Sequence, residues 1–256
     1  MSPDKPPQFR VKLAATADEL RAAQRLRYDV FIKELGGSGP MVDHDARLEQ
    51  DRFDPFFDHL LLLDDAADGA VVGVYRLLRD DQAADVGQFY SEDEYDLSPL
   101  RHCNRKVMEL GRSCLHPDYR GGAGLYHLWS ALAAYIAEHE VEILFGVASF
   151  HGTNPQELAQ PLSLLHHRHL APEALRVRAQ AAHYQTMNLI PEEKLDRRAA
   201  MLQVPPLIKA YLRLGGFVGD GAFVDRAFNT TDVCLVVDTS DMSDKQKSIY
   251  SKGVAR

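Results

Sequence analysis

Two side chains in one short stretch could do chemistry. Residues 107–124 read VMELGRSCLHPDYRGGAG, apolar like a buried strand at first and glycine-rich at the end. Within the strand stand Glu109 and Arg112, and a charge removed from water is costly unless something pairs or uses it. Glu109 is a candidate general base, since a carboxylate can strip the proton from an ammonium before the amine attacks a carbonyl. A structural ion pair with Arg76 or Arg27 is its alternative. Strand alternation sets Glu109, Gly111 and Ser113 on one face and Leu110, Arg112 and Cys114 on the other. Arg120, Gly121, Gly122, Ala123 and Gly124 then lead into a helical pattern, and N–H groups at a helix start favour a phosphate. The alternative is a tight turn that merely starts a helix. Cys114 has no basic activator at a telling spacing, so a small buried apolar role suits it better than a nucleophile's.

Other candidates are scattered. His151 is a second possible base, and Ser149 and Thr153 beside it could bind a carboxylate or order water. Asp51 and Asp54, in the acidic loop EQDRFD, could bind cationic groups, although exposed loop polarity explains them too. The run HHRH (166–169) lacks the i, i+4 spacing and partner carboxylate of a metal site, so no metal is expected.

Composition narrows the class. The 256 residues are 45% hydrophobic and 26% charged, which suits a soluble globular fold with a real core. No run reaches the ~18–20 apolar residues that span a bilayer, and the first residues show no apolar signal core. Three cysteines without CxxC spacing argue for reduced thiols and a cytoplasmic setting. The net charge of −8 is uneven: residues 1–100 hold 21 acidic and 11 basic side chains, residues 101–220 hold 11 and 13. Nucleic acid is a poor partner for such a chain. The basic half, with Arg101, Arg105, Lys106, Arg120, Arg168, Arg176 and Arg178, could still meet an acidic protein locally.

The elements that must position these residues are legible in outline. RVKLA opens as a strand. Thr16 and Glu19 have capping-box spacing before an apolar stripe of Leu20, Ala23, Leu26, Val30 and Ile32. HLLLLDD and AVVGVYRLLR, separated by Ala66–Gly69, read as a hairpin. Residues 80–104 look irregular. A helix over 122–138 has Leu125, Leu128, Trp129 and Leu132 on its inner face, and VEILFGVASF is a buried strand. Residues 152–204 read as a proline-interrupted helical insertion. A helix opened by proline and closed by glycine, PPLIKAYLRLGGF, and two strands follow. The expected organisation is one domain over 8–238 with flexible tails at 1–7 and 240–256, built as a mixed α/β sheet with helices on both faces.

That order, with a strand entering HPDYRGGAG and a helix leaving it, resembles the GCN5-related N-acetyltransferase fold. LRYDVFIKEL, EQDRFD, YRLL and MELGR together look like the acyl-homoserine-lactone synthases. RYDVF, DRFD, ELGRSCLHPDYR, FGVASFHGT and YLRLGGFVGDGAFVD with FNTTDVC resemble the bacterial ornithine-lipid N-acyltransferases more closely. The resemblance implies transfer of a 3-hydroxyacyl chain from acyl carrier protein to the α-amine of ornithine. It implies no permanently bound cofactor, because the 4′-phosphopantetheine arm arrives on the carrier protein. It supports Glu109 as base and suggests Tyr211 as the acid for the leaving thiol, with a core tyrosine as the alternative. Arg112, Ser113, Cys114, Leu115, Arg120, Gly121 and Gly122 would face the acyl donor, with a charge critical to the fold as the alternative for Arg112, and Arg27, Asp51, Asp54, Ser149 and Thr153 would face the amino acid. The loop departs from the coenzyme A pattern R/Q-x-x-G-x-G/A, with Ala123 and Leu125 at the two specified positions, and a single phosphate suits it better than a pyrophosphate. Carrier proteins are acidic, so the basic residues above become the expected dock, with a merely solvated charged face as the alternative. A membrane surface is where a lipid product would go, although the sequence shows no amphipathic anchor. Competing readings are the same reaction on glutamine, homoserine-lactone synthesis, and a non-catalytic module that binds acyl chains or carrier protein.

Overall fold

The structure, a computed structural model, describes residues 6–240 and 242. The expected tails therefore lie outside the described residues, apart from residues 6, 7, 240 and 242. In chain order the strands are β1 (Phe9–Leu13), β2 (Asp58–Asp64), β3 (Ala70–Arg79), β4 (Tyr95–Asp96), β5 (Val107–Leu115) and β6 (Ile143–His151). Then come β7 (Arg178–Ala179), β8 (Tyr184–Gln185), β9 (Phe217–Val218), β10 (Ala222–Asp225) and β11 (Thr230–Asp238). The helices are α1 (Ala17–Arg27), α2 (Asp80–Val86), α3 (Ser98–Arg101), α4 (Gly124–His139), α5 (Ala159–His169), α6 (Arg197–Gln203) and α7 (Pro206–Arg213). The described residues divide into two compact units, 6–86 with 110–140 and 87–109 with 141–240. Strand β5 belongs to the second unit as far as Glu109 and to the first from Leu110 onward.

In the first unit β1, β2 and β3 are antiparallel neighbours and β5 follows β3. The β2–β3 hairpin closes through Asp68 and Gly69, both in the left-handed region, as the turn chemistry anticipates. Helix α1 starts with a full capping box: Thr16 Oγ1 accepts the Glu19 N–H at 3.2 Å, and Glu19 Oε2 accepts the Thr16 N–H at 3.2 Å. Its apolar stripe buries Ala23, Leu26 and Val30 against Leu61, Leu63, Val74 and Cys114. Beyond Arg27 the helix widens into a π-helical turn over Tyr28–Glu34 and stops at Gly36. Helix α4 buries Gly124, Leu128, Leu132 and Tyr135. Leu125, expected inside, is 39% exposed, because that seam runs one residue away around the helix.

In the second unit β5 pairs in parallel with β6 from Val107–Ile143 to Glu109–Phe145. Strand β6 is antiparallel to β11, which carries β10 and then β8 beyond it. Strands β4 and β7 form a separate small ladder. Parallel and antiparallel pairs thus share a mixed sheet, as the α/β reading expects. The segment 152–204 contains α5, α6, β7, β8 and several 3₁₀ turns. Residues 80–104, which look irregular in sequence, form α2, α3, β4 and a 3₁₀ turn. Helix α7 opens on proline as expected, and its end explains the paired glycines. A Cβ on Gly216 would stand 2.8 Å from the Tyr211 carbonyl oxygen, which the Gly216 N–H uses as its acceptor at 3.0 Å. Among the described residues no helix is long and apolar enough to cross a membrane.

Candidate active site

Three arginines of the first unit meet three carboxylates of the acidic loop. Arg27, at the end of α1, and Arg76, on β3, are both fully buried. Arg27 donates to Glu49 and, at 2.6 Å, to Asp54. Arg76 donates to Asp51 at 2.7 Å and to Asp54 at 2.8 Å, and its guanidinium lies over the Phe57 ring. Gln24 adds a bond to Asp54 at 2.9 Å. Buried charges persist only when paired in this way. Burial would raise the Asp54 carboxyl, but Arg27 and Arg76 hold it well below the usual range. Burial would raise Glu49 too, and Arg112, Arg27 and Arg76 bring it down to about 2. His59 is buried beside them, its Nε2 at 3.0 Å from the Asp54 carbonyl, and burial lowers its imidazole. The loop carboxylates expected to meet a substrate's cationic groups, and Arg27 with them, are engaged with one another.

Acid sensitivity follows from these shifts. A glutamate in an unfolded chain titrates near about 4.3, whereas Glu49 is held at about 2. Its contribution is complete above the unfolded value and is lost as pH falls toward the folded one. Circular dichroism in an acid titration should show structure lost between about pH 4.3 and about pH 2. A transition already complete at higher pH would contradict this account of the cluster.

Arg112 departs from the alternation expected of β5. Its φ is +49°, a left-handed conformation inside a strand. A Cβ on Gly111 would face Arg76, with the Arg76 Nε 3.9 Å away, so residue 111 points toward the cluster. Arg112 reaches the same cluster, with its Nε 3.1 Å from Glu49 Oε1 and its Nη2 3.8 Å from Asp51 Oδ2. Residues 111 and 112 therefore share a side instead of taking opposite faces, because the left-handed residue interrupts the pleat. Cys114 is buried in the core beneath α1, and burial pushes its thiol up to about 12, which suits an inert apolar role. Leu115 packs at Gly73, and Ser113, just before Cys114, is half-buried.

The glycine turn precedes an uncapped helix: no side chain caps α4 at Ala123. Gly121 is left-handed and, like Gly122, exposed. Arg120 donates to the Leu115 carbonyl at 3.2 Å and grips both oxygens of Glu34, at 2.6 and 2.7 Å.

Glu109 lies in the second unit and is 1% exposed. Its Oε2 accepts the Tyr90 N–H at 2.7 Å, its Oε1 accepts the Ser91 N–H at 2.8 Å, and the Ser91 hydroxyl also donates to it. Two main-chain donors and a hydroxyl thus fix both oxygens, with the two donors of Ser91 sharing Oε1. Tyr211 is buried on α7. Ser149 and His151 are exposed on β6, opposite Asp232 and Thr230 of β11, and Thr153 is half-buried just past the strand. Close by in chain pairing, Glu94, Asp225 and Asp232 bring carboxylate oxygens within 4.8 Å of one another. Sequence reading missed Ser91, Glu94 and Asp232. SEDEYD reads as exposed polarity, and nothing local shows that a turn there caps a distant strand's glutamate.

The basic residues expected to dock a partner are mostly paired at home. Arg101 binds Glu92, Arg105 binds Asp238 and Glu142, Arg168 binds Glu192, and Arg178 binds Asp220. Arg176 donates to the Ala171 carbonyl at 2.7 Å, and Lys106 is exposed. Own-chain carboxylates weaken the positive field that these residues would otherwise offer.

Residues 26–130 match the acetyltransferase (GNAT) domain. The acyl-homoserine-lactone synthase LasI superposes with a TM-score of 0.52 at 16% identity, covering 96% of each chain. A coenzyme A-dependent synthase of the same kind, BjaI, gives 0.52 at 16%, covering 93% of this chain and 82% of its own. These likenesses define a GNAT-type acyltransferase fold. Closer in sequence, the L-ornithine N(alpha)-acyltransferase of Rhodobacter capsulatus is 58% identical over 253 residues, 97% of each protein. That of Brucella abortus is 41% identical over 246 residues, 94% of this chain and 88% of its own. The chain belongs to the L-ornithine N(alpha)-acyltransferase family and is an acyltransferase.

Proposed function

We propose that this enzyme moves a 3-hydroxyacyl chain from acyl carrier protein to the α-amine of L-ornithine, forming a lyso-ornithine lipid. The observation that carries the reading is the 58% identity, over 97% of both chains, to a protein named for that acceptor. The amine must lose a proton before it attacks. Glu109 takes that proton, directly or through a water, with its oxygens held by Tyr90 and Ser91. The new C–N bond forms as the thioester C–S bond breaks, and main-chain N–H groups around Ser113–Leu115 steady the oxyanion. Tyr211 returns a proton to the departing thiolate, so the net transfer is from amine to thiol. His151 remains the second candidate base, with Ser149 and Thr153 beside it. A dibasic amino acid also suits the negative surroundings of Glu94, Asp225 and Asp232.

The donor is read from the loop. A turn that departs from the coenzyme A pattern fits the single phosphate of a phosphopantetheine arm, with Arg120, Gly121 and Gly122 beside it. The carrier protein's acidic surface would meet Lys106 and the arginines at 101, 105, 168, 176 and 178, with own-chain carboxylates yielding to it. Initial rates with matched 3-hydroxyacyl carrier protein and 3-hydroxyacyl coenzyme A test this. The carrier-protein thioester should be used with the higher kcat/KM, and a preference for the coenzyme A thioester would overturn the donor assignment.

A further inference from the structure

Glu49 stands at the meeting point of three structural elements and makes no expected contact with substrate. It is 2% exposed. Its carboxylate receives Arg27 of α1 and the Arg112 Nε of β5, the latter at 3.1 Å. Its own N–H donates to the Gln24 carbonyl at 3.1 Å. The residue it grips in β5 is the one that leaves the strand conformation. Arg112 has φ +49°, where a side chain crowds the backbone and only glycine sits without strain. Such a conformation lasts only while its surroundings hold it. Glu49 bonds that guanidinium directly, with Asp51 at 3.8 Å at longer range, and so contributes to the hold.

The left-handed residue has a consequence for the chain that follows. It brings residues 111 and 112 to one side and so sets the direction in which the main chain runs on through Ser113, Cys114 and Leu115. We propose that Glu49 is a positioning residue for acyl transfer: by clamping Arg112 in its left-handed turn it aims the main-chain donors that follow. The inference rests on the acyl-transfer reading above, in which those donors serve the oxyanion.

The test compares variants that lose the guanidinium equally. Arg112→Gly and Arg112→Ala both remove any direct contact between Arg112 and the donor, but only alanine must bear the left-handed strain. Arg112→Gly should therefore retain a kcat about tenfold above that of Arg112→Ala. Glu49→Gln should lower kcat about tenfold or more in the parent, with little change in KM, and have little further effect in the Arg112→Gly background. Equal kcat values for the glycine and alanine variants, or the same loss from Glu49→Gln in both backgrounds, would overturn the proposal. If Glu49→Gln fails to fold, Glu49→Asp takes its place, and an equal kcat loss in the parent and Arg112→Gly backgrounds overturns the proposal. Amide hydrogen exchange across residues 112–116 gives a readout without substrate. Exchange should quicken in Arg112→Ala relative to Arg112→Gly, and identical exchange would count against the clamp. A parent enzyme that transfers no acyl group would instead sink the acyl-transfer reading, which separates the two failures.

Discussion

Glu109→Gln should slow acyl transfer by about 10²–10⁴-fold, the span associated with loss of a positioned base. The residue is buried at 1% exposure, so its replacement is also a structural event. Glutamine turns one acceptor oxygen into a donor and sets it against the N–H of Tyr90 or Ser91, both of which now donate to the carboxylate. A buried donor left facing a donor costs about 1–3 kcal/mol. Two readouts separate chemistry from folding. The melting temperature reports the structural part. The pH dependence of the rate reports the base, because an amine already deprotonated at high pH no longer needs one. The deficit should shrink as pH rises. A deficit that is constant across pH, in a variant that melts like the parent, would remove Glu109 from the role of base.

The second large effect concerns stability. Arg27→Met keeps an apolar stem of similar reach but takes a guanidinium from Glu49 and Asp54, which are 2% and 4% exposed and keep only Arg112 and Arg76 as arginine partners. Removing one partner from a buried ionic network costs about 3–5 kcal/mol, because two arginines are then left to compensate three carboxylates in a poorly solvating interior. Set against a total stability of about 5–15 kcal/mol, that is enough to shift a urea midpoint severely. The contrasting substitution is Arg10→Ala. Its ion pair with Asp65 is 50% and 41% exposed at the two side chains, and losing it should leave the midpoint nearly unchanged. Equal midpoint shifts for the two variants would mean that the cluster contributes no more than a surface pair.

What was legible in the sequence was what is encoded locally. The Thr16–Glu19 capping box, the β2–β3 hairpin with its Asp68–Gly69 turn and the proline-to-glycine helix α7 depend on neighbours a few residues apart, and all formed as expected. The GNAT-type fold and the acyltransferase family were legible through motifs in order along the chain. Side-chain destinations set by distant partners were not. Nothing near Arg112 signals a positive φ, since the clamp on it comes from Glu49, 63 residues away. Ser91 and Tyr90 reach Glu109 across a gap of 18 and 19 residues that no periodicity links. The arginines that looked like a free basic face had carboxylates waiting elsewhere, as with Arg105 and Asp238. Leu125 shows a smaller version of the same limit: an apolar residue at a helix start took the solvent side because Gly124 was the one packed inward.

The central claim is that the chain acylates the α-amine of ornithine. The direct measurement incubates the purified enzyme with 3-hydroxyacyl carrier protein and a panel of amino acids, and fragments the products by mass spectrometry. An ornithine-dependent product with the amide on the α-nitrogen and a free δ-amine is predicted. Product built on glutamine and none on ornithine would contradict the account, as would thioester cleavage with no amide formed.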